Sequence, residues 1–154
     1  MLGCMKKPFI ALIAIFACTF SYAQVEQSSS DYSVETVGKI STLYKYIELT
    51  KQVINNENTY NLKYHNLEFP QMKDIANVRF IATDEELDDM YSKILARSKM
   101  KKNDPITYID LPRGRMGITR LSSGQIKILY TGSGSNEVKW TWLSKGQLKK
   151  VFGK

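Results

Sequence analysis

The stretch from Thr83 to Met100 constrains the fold more than any other part of the sequence, because its start, periodicity and charge order all predict one helix. The hydroxyl of Thr83 can accept from the first helical turn, and Glu86 can reach back to the Thr83 amide, which together make a capping box. Acidic residues fill the first half of the stretch and basic residues the second, an order that suits the helix dipole. Apolar residues recur at helical spacing: Leu87, Met90, Tyr91, Ile94 and Leu95. We expect this stripe to be buried against a sheet.

Alternating apolar and polar residues before the helix predict three strands. They span residues 39–52, 59–66 and 76–82. The first span also fits a helical face. We interpret it as a strand because it is rich in β-branched and aromatic residues and because the turn cluster 55–58 follows it.

Four short alternating segments after the helix predict an antiparallel meander, because glycine-containing turns separate them. They span residues 106–111, 115–121, 125–131 and 137–143. Ser144 and Gln147 then make a second capping box, which predicts a short terminal helix. The fold class expected is therefore α+β: an antiparallel sheet of three N-terminal strands, the central helix and a four-strand meander, with a short C-terminal helix packed on it.

The beginning of the chain has the pattern of a secretory signal peptide. Lys6 and Lys7 precede an apolar run over 9–20, and Ser21 and Ala23 supply the small residues that a signal peptidase requires. Translation could start at Met1 or at Met5. We expect a signal peptide over 1–23, a flexible leader over 24–36 and a single domain over 37–154, exported to the periplasm or the cell exterior.

Both cysteines, Cys4 and Cys18, fall inside the predicted signal peptide, so the mature protein should have no disulfide. Residues 15–18 loosely resemble a lipobox, and a lipoprotein attached through Cys18 is the alternative. Phe16 is bulkier than that pattern usually accepts, so we favour cleavage after Ala23. No later stretch is apolar enough to predict a transmembrane segment.

The sequence offers little material for catalysis. The mature chain has one histidine, His65, and no cysteine, so a Cys–His pair is excluded and a zinc site would need His65 with carboxylates. No serine lies in a nucleophile-elbow context. The glycine-rich stretch 132–136 joins two strands, which indicates a hairpin turn and not a phosphate loop. We expect no enzyme activity, no catalytic residue, no metal and no cofactor.

Trp140 and Trp142 share one face of the last predicted strand. When exposed, such pairs form platforms for sugars or bases. The terminal helix needs apolar cover, however, so we expect both indoles to be buried beneath it.

The chain is basic, with 22 basic and 15 acidic residues and a formal net charge of +7. This excess favours association with anionic partners. The candidate binding residues lie near the first meander hairpin and on the terminal helix, and would form one basic patch if those elements are neighbours: Arg113, Arg115, Arg120, Lys145 and Lys149.

The leading hypothesis is an exported, non-enzymatic binding domain of the cell envelope. Its partner would be an envelope component or a protein, with anionic partners favoured by charge, and nucleic acid is not the expected partner. One alternative is a hydrolase inhibitor or immunity-like protein that inserts the hairpin Leu111–Gly117 into an active site. Another is a hydrolase that uses paired carboxylates. A cleft lined by two or more acids would favour the hydrolase.

Overall fold

The structure is a computed structural model and describes residues 33–72 and 74–154. The predicted signal peptide, Cys18 and residues 24–32 of the predicted leader lie outside the described residues. The described part contains these elements in order: β1 (Val34–Ser41), β2 (Tyr46–Ile54), β3 (Glu57–His65), β4 (Ile75–Ile81), α1 (Asp84–Arg97), β5 (Thr107–Leu111), β6 (Gly114–Arg120), β7 (Ile126–Gly132), β8 (Val138–Leu143) and α2 (Lys145–Val151). Neither α1 nor α2 has the length and apolar character that a membrane crossing requires.

The strands form two antiparallel sheets of four, and the predicted α+β class is confirmed. Sheet A has the order β1-β2-β3-β4, and sheet B has the order β5-β6-β7-β8 of the predicted meander. Sheet A has one strand more than the sequence pattern indicates, because the segment 39–52 turns back on itself. The amide of Thr42 donates to the carbonyl of Lys45 (2.8 Å), which closes the turn between β1 and β2. β1 begins at Val34, three residues inside the predicted leader.

The turn between β2 and β3 is as tight as its sequence suggests. Asn55 and Asn56 have φ values of 51° and 64°, and Ile54 pairs directly with Glu57. Two successive residues with positive φ match the twist of an antiparallel hairpin, and asparagine tolerates that conformation better than most residues.

The core lies between the inner faces of the sheets and the two helices. Strand alternation places large apolar residues there from both sheets, including Leu49, Leu62, Val78, Ile118 and Ile128. Both predicted capping boxes are confirmed at the starts of α1 and α2. On α1, Leu87, Met90 and Ile94 are buried as expected, whereas Tyr91 and Leu95 are only partly buried at the edge of the core.

The terminal helix α2 packs mainly on β1. Gly38 makes this approach possible, because any side chain there would overlap the carbonyl oxygens of Lys150 and Val151. The register of β1 against β2 also shifts between Thr36 and Gly38, which is the irregularity expected where a backbone passes close to a strand.

The predicted burial of Trp140 and Trp142 beneath the terminal helix was wrong. Strand β8 turns its other face inward, so Thr141 and Leu143 are buried while both indoles are half-buried on the outer face of sheet B. The register explains this: Thr141 pairs with Ile128 and Leu143 with Ile126, whose side chains belong to the core. Strand β1 supplies the surface on which α2 packs, so the helix does not depend on the tryptophans for apolar contacts.

A buried asparagine joins the two sheets. The Asn66 side chain is fully buried; it donates to the carboxylate of Asp74 (2.9 Å) and accepts from the amides of Glu68 (3.1 Å) and Trp140 (3.0 Å). Lys139 also donates to Asp74 (2.7 Å). The hydrogen bonds from Lys139 and Asn66 lower the pKa of Asp74, and the bond to Asp74 raises the pKa of Lys139.

Candidate functional site: a cationic cleft

The outer face of sheet A carries polar side chains that alternate with the core residues. Paired residues across the strands place Asn61 beside Arg79 and Lys63 beside Asn77. A cleft of about 400 Å³ lies over this face. It is lined by Val34, Thr50, Gln52, Thr59, Asn61, Lys63, Asn77, Arg79, Arg113 and Tyr130.

Sheet B supplies one wall of the cleft. Arg113 lies at the tip of the β5–β6 turn, and Tyr130 lies on β7. The Tyr130 hydroxyl donates to the Arg113 carbonyl (2.7 Å), and the Ser133 amide donates to the same oxygen (2.9 Å). Two hydrogen bonds therefore fix the backbone of the turn that brings Arg113 over the outer face of sheet A.

The charge in the cleft is of one sign. Lys63, Arg79 and Arg113 line it, and none of the lining residues is acidic. Among the ion pairs of the described residues, none involves these three cations. Like charges around a shared cavity repel each other unless an anion lies between them, so the arrangement favours a negatively charged ligand.

One acid, Glu48, lies on this face of sheet A as the cross-strand neighbour of Lys63, outside the lining of the cleft. It already has two closer partners. Tyr46 donates to its carboxylate, and Lys39 forms an ion pair with it (3.4 Å). The hydrogen bond from Tyr46 and the charge of Lys39 lower the pKa of Glu48, and the same hydrogen bond raises the pKa of Tyr46 to about 12. Glu48 is therefore a charged carboxylate with its own partners.

The cleft also contains an acceptor without a donor. The side-chain oxygen of Asn61 is buried and has no hydrogen-bond partner among the described residues. Buried polar atoms in folded proteins almost always have a partner, protein or solvent. The Asn61 oxygen is therefore an unpaired acceptor beneath the surface of the cleft.

The structure places the five predicted binding residues in different surroundings. Arg113 lines the cleft. Arg115 lies on the outer face of sheet B and pairs with Asp110 (2.6 Å), and Arg120 donates to the carbonyl of Met100 (2.6 Å). The remaining two, Lys145 and Lys149, are exposed on α2, which packs on β1.

The pattern of the sequence did not identify Lys63 and Arg79. Each is the polar member of an alternating strand, which is the ordinary place for a solvated cation. Their convergence depends on the register of β3 and β4, and on the packing of a turn from the other sheet. The available signal was the run of polar residues on one face of two successive predicted strands.

A second, smaller cavity of about 200 Å³ carries acids, but each has a structural partner. Among its lining residues are Glu86, Asp89 and Asp110. Glu86 accepts from the amide of Thr83 (2.7 Å), Asp89 pairs with Lys93 (2.6 Å), and Asp110 pairs with Arg115 (2.6 Å). These three carboxylates thus cap a helix or neutralise a neighbouring cation.

Residues 33–72 and 74–154 contain no cluster of three or more histidine, cysteine or acidic residues suited to a metal ion. The Nε2 atom of His65 lies 3.0 Å from the carbonyl oxygen of Met72, to which the ring donates when its proton is on that nitrogen. No protein-family model and no curated protein sequence matches this chain.

Proposed function

We propose that this protein is a non-enzymatic binding domain that holds an anionic ligand in the cleft between sheet A and the β5–β6 turn. One observation carries the proposal: Lys63, Arg79 and Arg113 face the same cavity, and no lining residue is acidic. Their number, and the absence of an ion pair to any of them among the described residues, favour a ligand with several negative charges.

The two arginines supply the strongest contacts in this proposal. A guanidinium group can bind a carboxylate, sulfate or phosphate through two parallel hydrogen bonds. A hydrogen bond to a charged group contributes about 1.5–3 kcal/mol, which corresponds to about 10–150-fold in affinity. Lys63 adds a flexible third charge from the floor of the cleft.

The signal-peptide pattern supports an exported location for this activity. We therefore propose that the ligand belongs to the cell envelope or to a protein met outside the cytoplasm. The cell exterior and periplasm contain acidic glycans and acidic protein segments, and both have the charge that the cleft requires.

The contacts of the hairpin Leu111–Gly117 favour a role as a wall of the cleft. They argue against the alternative considered above, in which the hairpin is an inhibitory plug inserted into an enzyme. Met116 and Gly117 are buried, and the carbonyl of Arg113 accepts two hydrogen bonds. Insertion of the whole hairpin would require these contacts to break. The hydrolase alternative has less support, because the larger cavity carries cations and the acids of the smaller one are paired.

The test is a binding titration with fluorescent poly-L-glutamate and with a fluorescent sulfated glycan, both at low salt. The variant Arg79→Gln/Arg113→Gln should lose about tenfold or more in affinity for the preferred probe. Arg115→Gln is the matched control, because it removes an exposed arginine outside the cleft. Its affinity should change by less than about twofold. Equal losses in both variants, or no binding of either probe to the unchanged protein, would overturn the proposal.

A further inference from the structure

Among the residues that the structure describes, no strand pairs with the outer edge of β4, the strand that carries Arg79. β4 is the last strand of sheet A. The amide of Ala82 donates to the carbonyl of Asn58 (3.1 Å), and the amide of Asn66 donates to the carbonyl of Asp74 (2.9 Å). These two bonds determine which residues of β4 form hydrogen bonds with β3, because hydrogen-bonded pairs recur at every second residue of an antiparallel ladder.

The alternation determines which backbone groups point outward. Ala76, Val78 and Phe80 exchange hydrogen bonds with β3 in this register. The N–H and C=O groups of the intervening residues point away from β3: Ile75, Asn77, Arg79 and Ile81. The free edge therefore offers donors and acceptors at the spacing of a β-strand.

A groove follows this edge along the whole of β4. The cationic cleft shares Arg79 and Arg113 with a neighbouring cavity of about 190 Å³ that reaches Ile81 and Pro112. At its other side the cleft shares Asn77 and Tyr130 with a cavity of about 300 Å³ that reaches Ile75. The three cavities thus lie side by side along the strand, with the β5–β6 turn and the β7–β8 connection as the opposite wall.

The side chains along the groove define what would fit it. Ile75 and Ile81 are 42% and 57% exposed at its two ends, and Arg79 and Arg113 lie between them. Soluble proteins usually protect a long edge strand from pairing with other chains. Here the edge combines apolar ends, a cationic centre and backbone groups that have no partner among the described residues. The one acid that lines the three cavities, Glu137 at the Ile75 end, is paired with Lys139 (3.8 Å).

We propose that the groove binds an extended acidic peptide segment of a partner protein, which pairs with β4 as a fifth strand of sheet A. This inference rests on the proposed function, because Arg79 and Arg113 would hold the acidic side chains. Backbone pairing would supply affinity along the strand, as in other cases of strand addition, and the cations would select acidic sequences. An acidic glycan could use the same cations but has no strand-spaced amide groups to pair with the edge.

The decisive probe is a capped octapeptide of alternating threonine and glutamate, compared with the same peptide N-methylated at every backbone amide. Methylation keeps the charge and the side chains but removes every backbone donor. We expect the unmodified peptide to bind and the methylated peptide to bind about tenfold or more weakly. Ile75→Pro removes one outward-facing amide donor at the first residue of β4, where proline is tolerated in a strand and where the side chain does not line the cationic cleft. It should weaken binding of the unmodified peptide while leaving binding of a sulfated glycan unchanged.

Hydrogen exchange measured by NMR gives a second readout. Peptide binding should slow exchange at the amides of Ile75, Asn77, Arg79 and Ile81. Ala76, Val78 and Phe80 are internal controls, because their amides already donate to β3. Equal binding of the two peptides, or unchanged exchange at the outward amides, would overturn strand pairing. If poly-L-glutamate or the glycan still bound in an Arg79-dependent manner, the proposed function would stand without strand pairing. If no anionic probe bound, the proposed function and the strand-pairing proposal would both fail.

Discussion

The outer faces of the two sheets both carry aromatic and basic residues, but they use the basic residues differently. On sheet B, the Nζ atom of Lys127 lies 4.0 Å from the ring centroid of Trp140. The Nζ atom of Lys45, which comes from the turn between β1 and β2, lies 3.5 Å from the centroid of Trp142 on the same face of sheet B. Arg115 lies over Tyr108 at 5.3 Å and pairs with Asp110. Each of these cations already has an aromatic or acidic partner within the fold.

The cleft on sheet A shows the opposite arrangement. Lys63, Arg79 and Arg113 have no ion pair and no cation–π partner among the described residues. The comparison teaches that the count of basic residues on a surface is a weak guide to binding. Whether the fold supplies partners for those charges is the more informative feature, and it depends on tertiary structure.

The largest expected effect comes from the core that supports both faces. Ile94 is fully buried on α1, so Ile94→Ala should lower the free energy of unfolding by about 2–5 kcal/mol. Urea denaturation measures this change. Anion affinity measured on the folded fraction should stay as it was, since Ile94 lines neither outer face. An unchanged urea midpoint would show that α1 is not central to the fold.

Asn66→Ala should have the next largest effect, because Asn66 links the sheets. The substitution leaves the amides of Glu68 and Trp140 without the acceptor that the buried Asn66 side chain provides, which should cost about 2 kcal/mol. Asn58→Ala is the matched control, since Asn58 donates to Asp84 at the surface (3.3 Å) and should cost less than about 0.5 kcal/mol. Similar denaturation midpoints for the two variants would contradict the role assigned to Asn66.

Lys45 predicts a pH dependence specific to the sheet B face. It is 7% exposed, and burial lowers its pKa to about 8. Its pKa in the unfolded chain is about 10.4, so between these values the unfolded state binds more protons and stability rises with pH. From pH 8 to 10 the expected rise is about 1–2 kcal/mol.

Thermal unfolding at pH 8, 9 and 10 tests this prediction. Lys45→Met keeps the hydrocarbon stem and removes the titrating amine, so its stability should not rise over that window. Tyr46 and Tyr60 have pKa values raised to about 12, so their titration lowers stability only above about pH 10. An equal rise in the protein and in Lys45→Met would assign the effect to another group.

The smallest effects should separate the two faces directly. Lys127→Gln removes a cation over Trp140 and should cost less than about 1 kcal/mol of stability, with no change in anion affinity. Lys63→Gln should do the reverse, leaving stability unchanged and weakening anion binding several-fold at low salt. Circular dichroism and the binding titration together measure both variants. A loss of affinity in Lys127→Gln alone would move the binding site to sheet B.

The features that the sequence predicted well depend on local chemistry. The capping boxes at Thr83 and Ser144 start the two helices, and glycine-containing turns separate the strands of sheet B. In these cases the determining residues are neighbours in the chain. Short-range hydrogen bonding and backbone preference are then enough to fix the structure.

The features that it missed depend on distant contacts. The turn at 42–45 contains Leu43 and Tyr44, which are 93% and 83% exposed and continue the apolar pattern of a strand. The inward face of β8 is decided by its register with β7, since both faces of that strand carry residues that could be buried. The cleft forms only because β3 and β4 pair in their observed register and a turn from the other sheet packs beside them. Both depend on contacts between segments that are distant in the sequence.

The contact between Gly38 and α2 has a consequence for biosynthesis. The first strand leaves the ribosome well before the helix that packs on its glycine, so β1 cannot complete its packing until α2 has been made. Such non-local closure slows folding and leaves hydrophobic surface exposed in the meantime. A nascent chain that lacks α2 should therefore depend on chaperones until that helix can pack on β1.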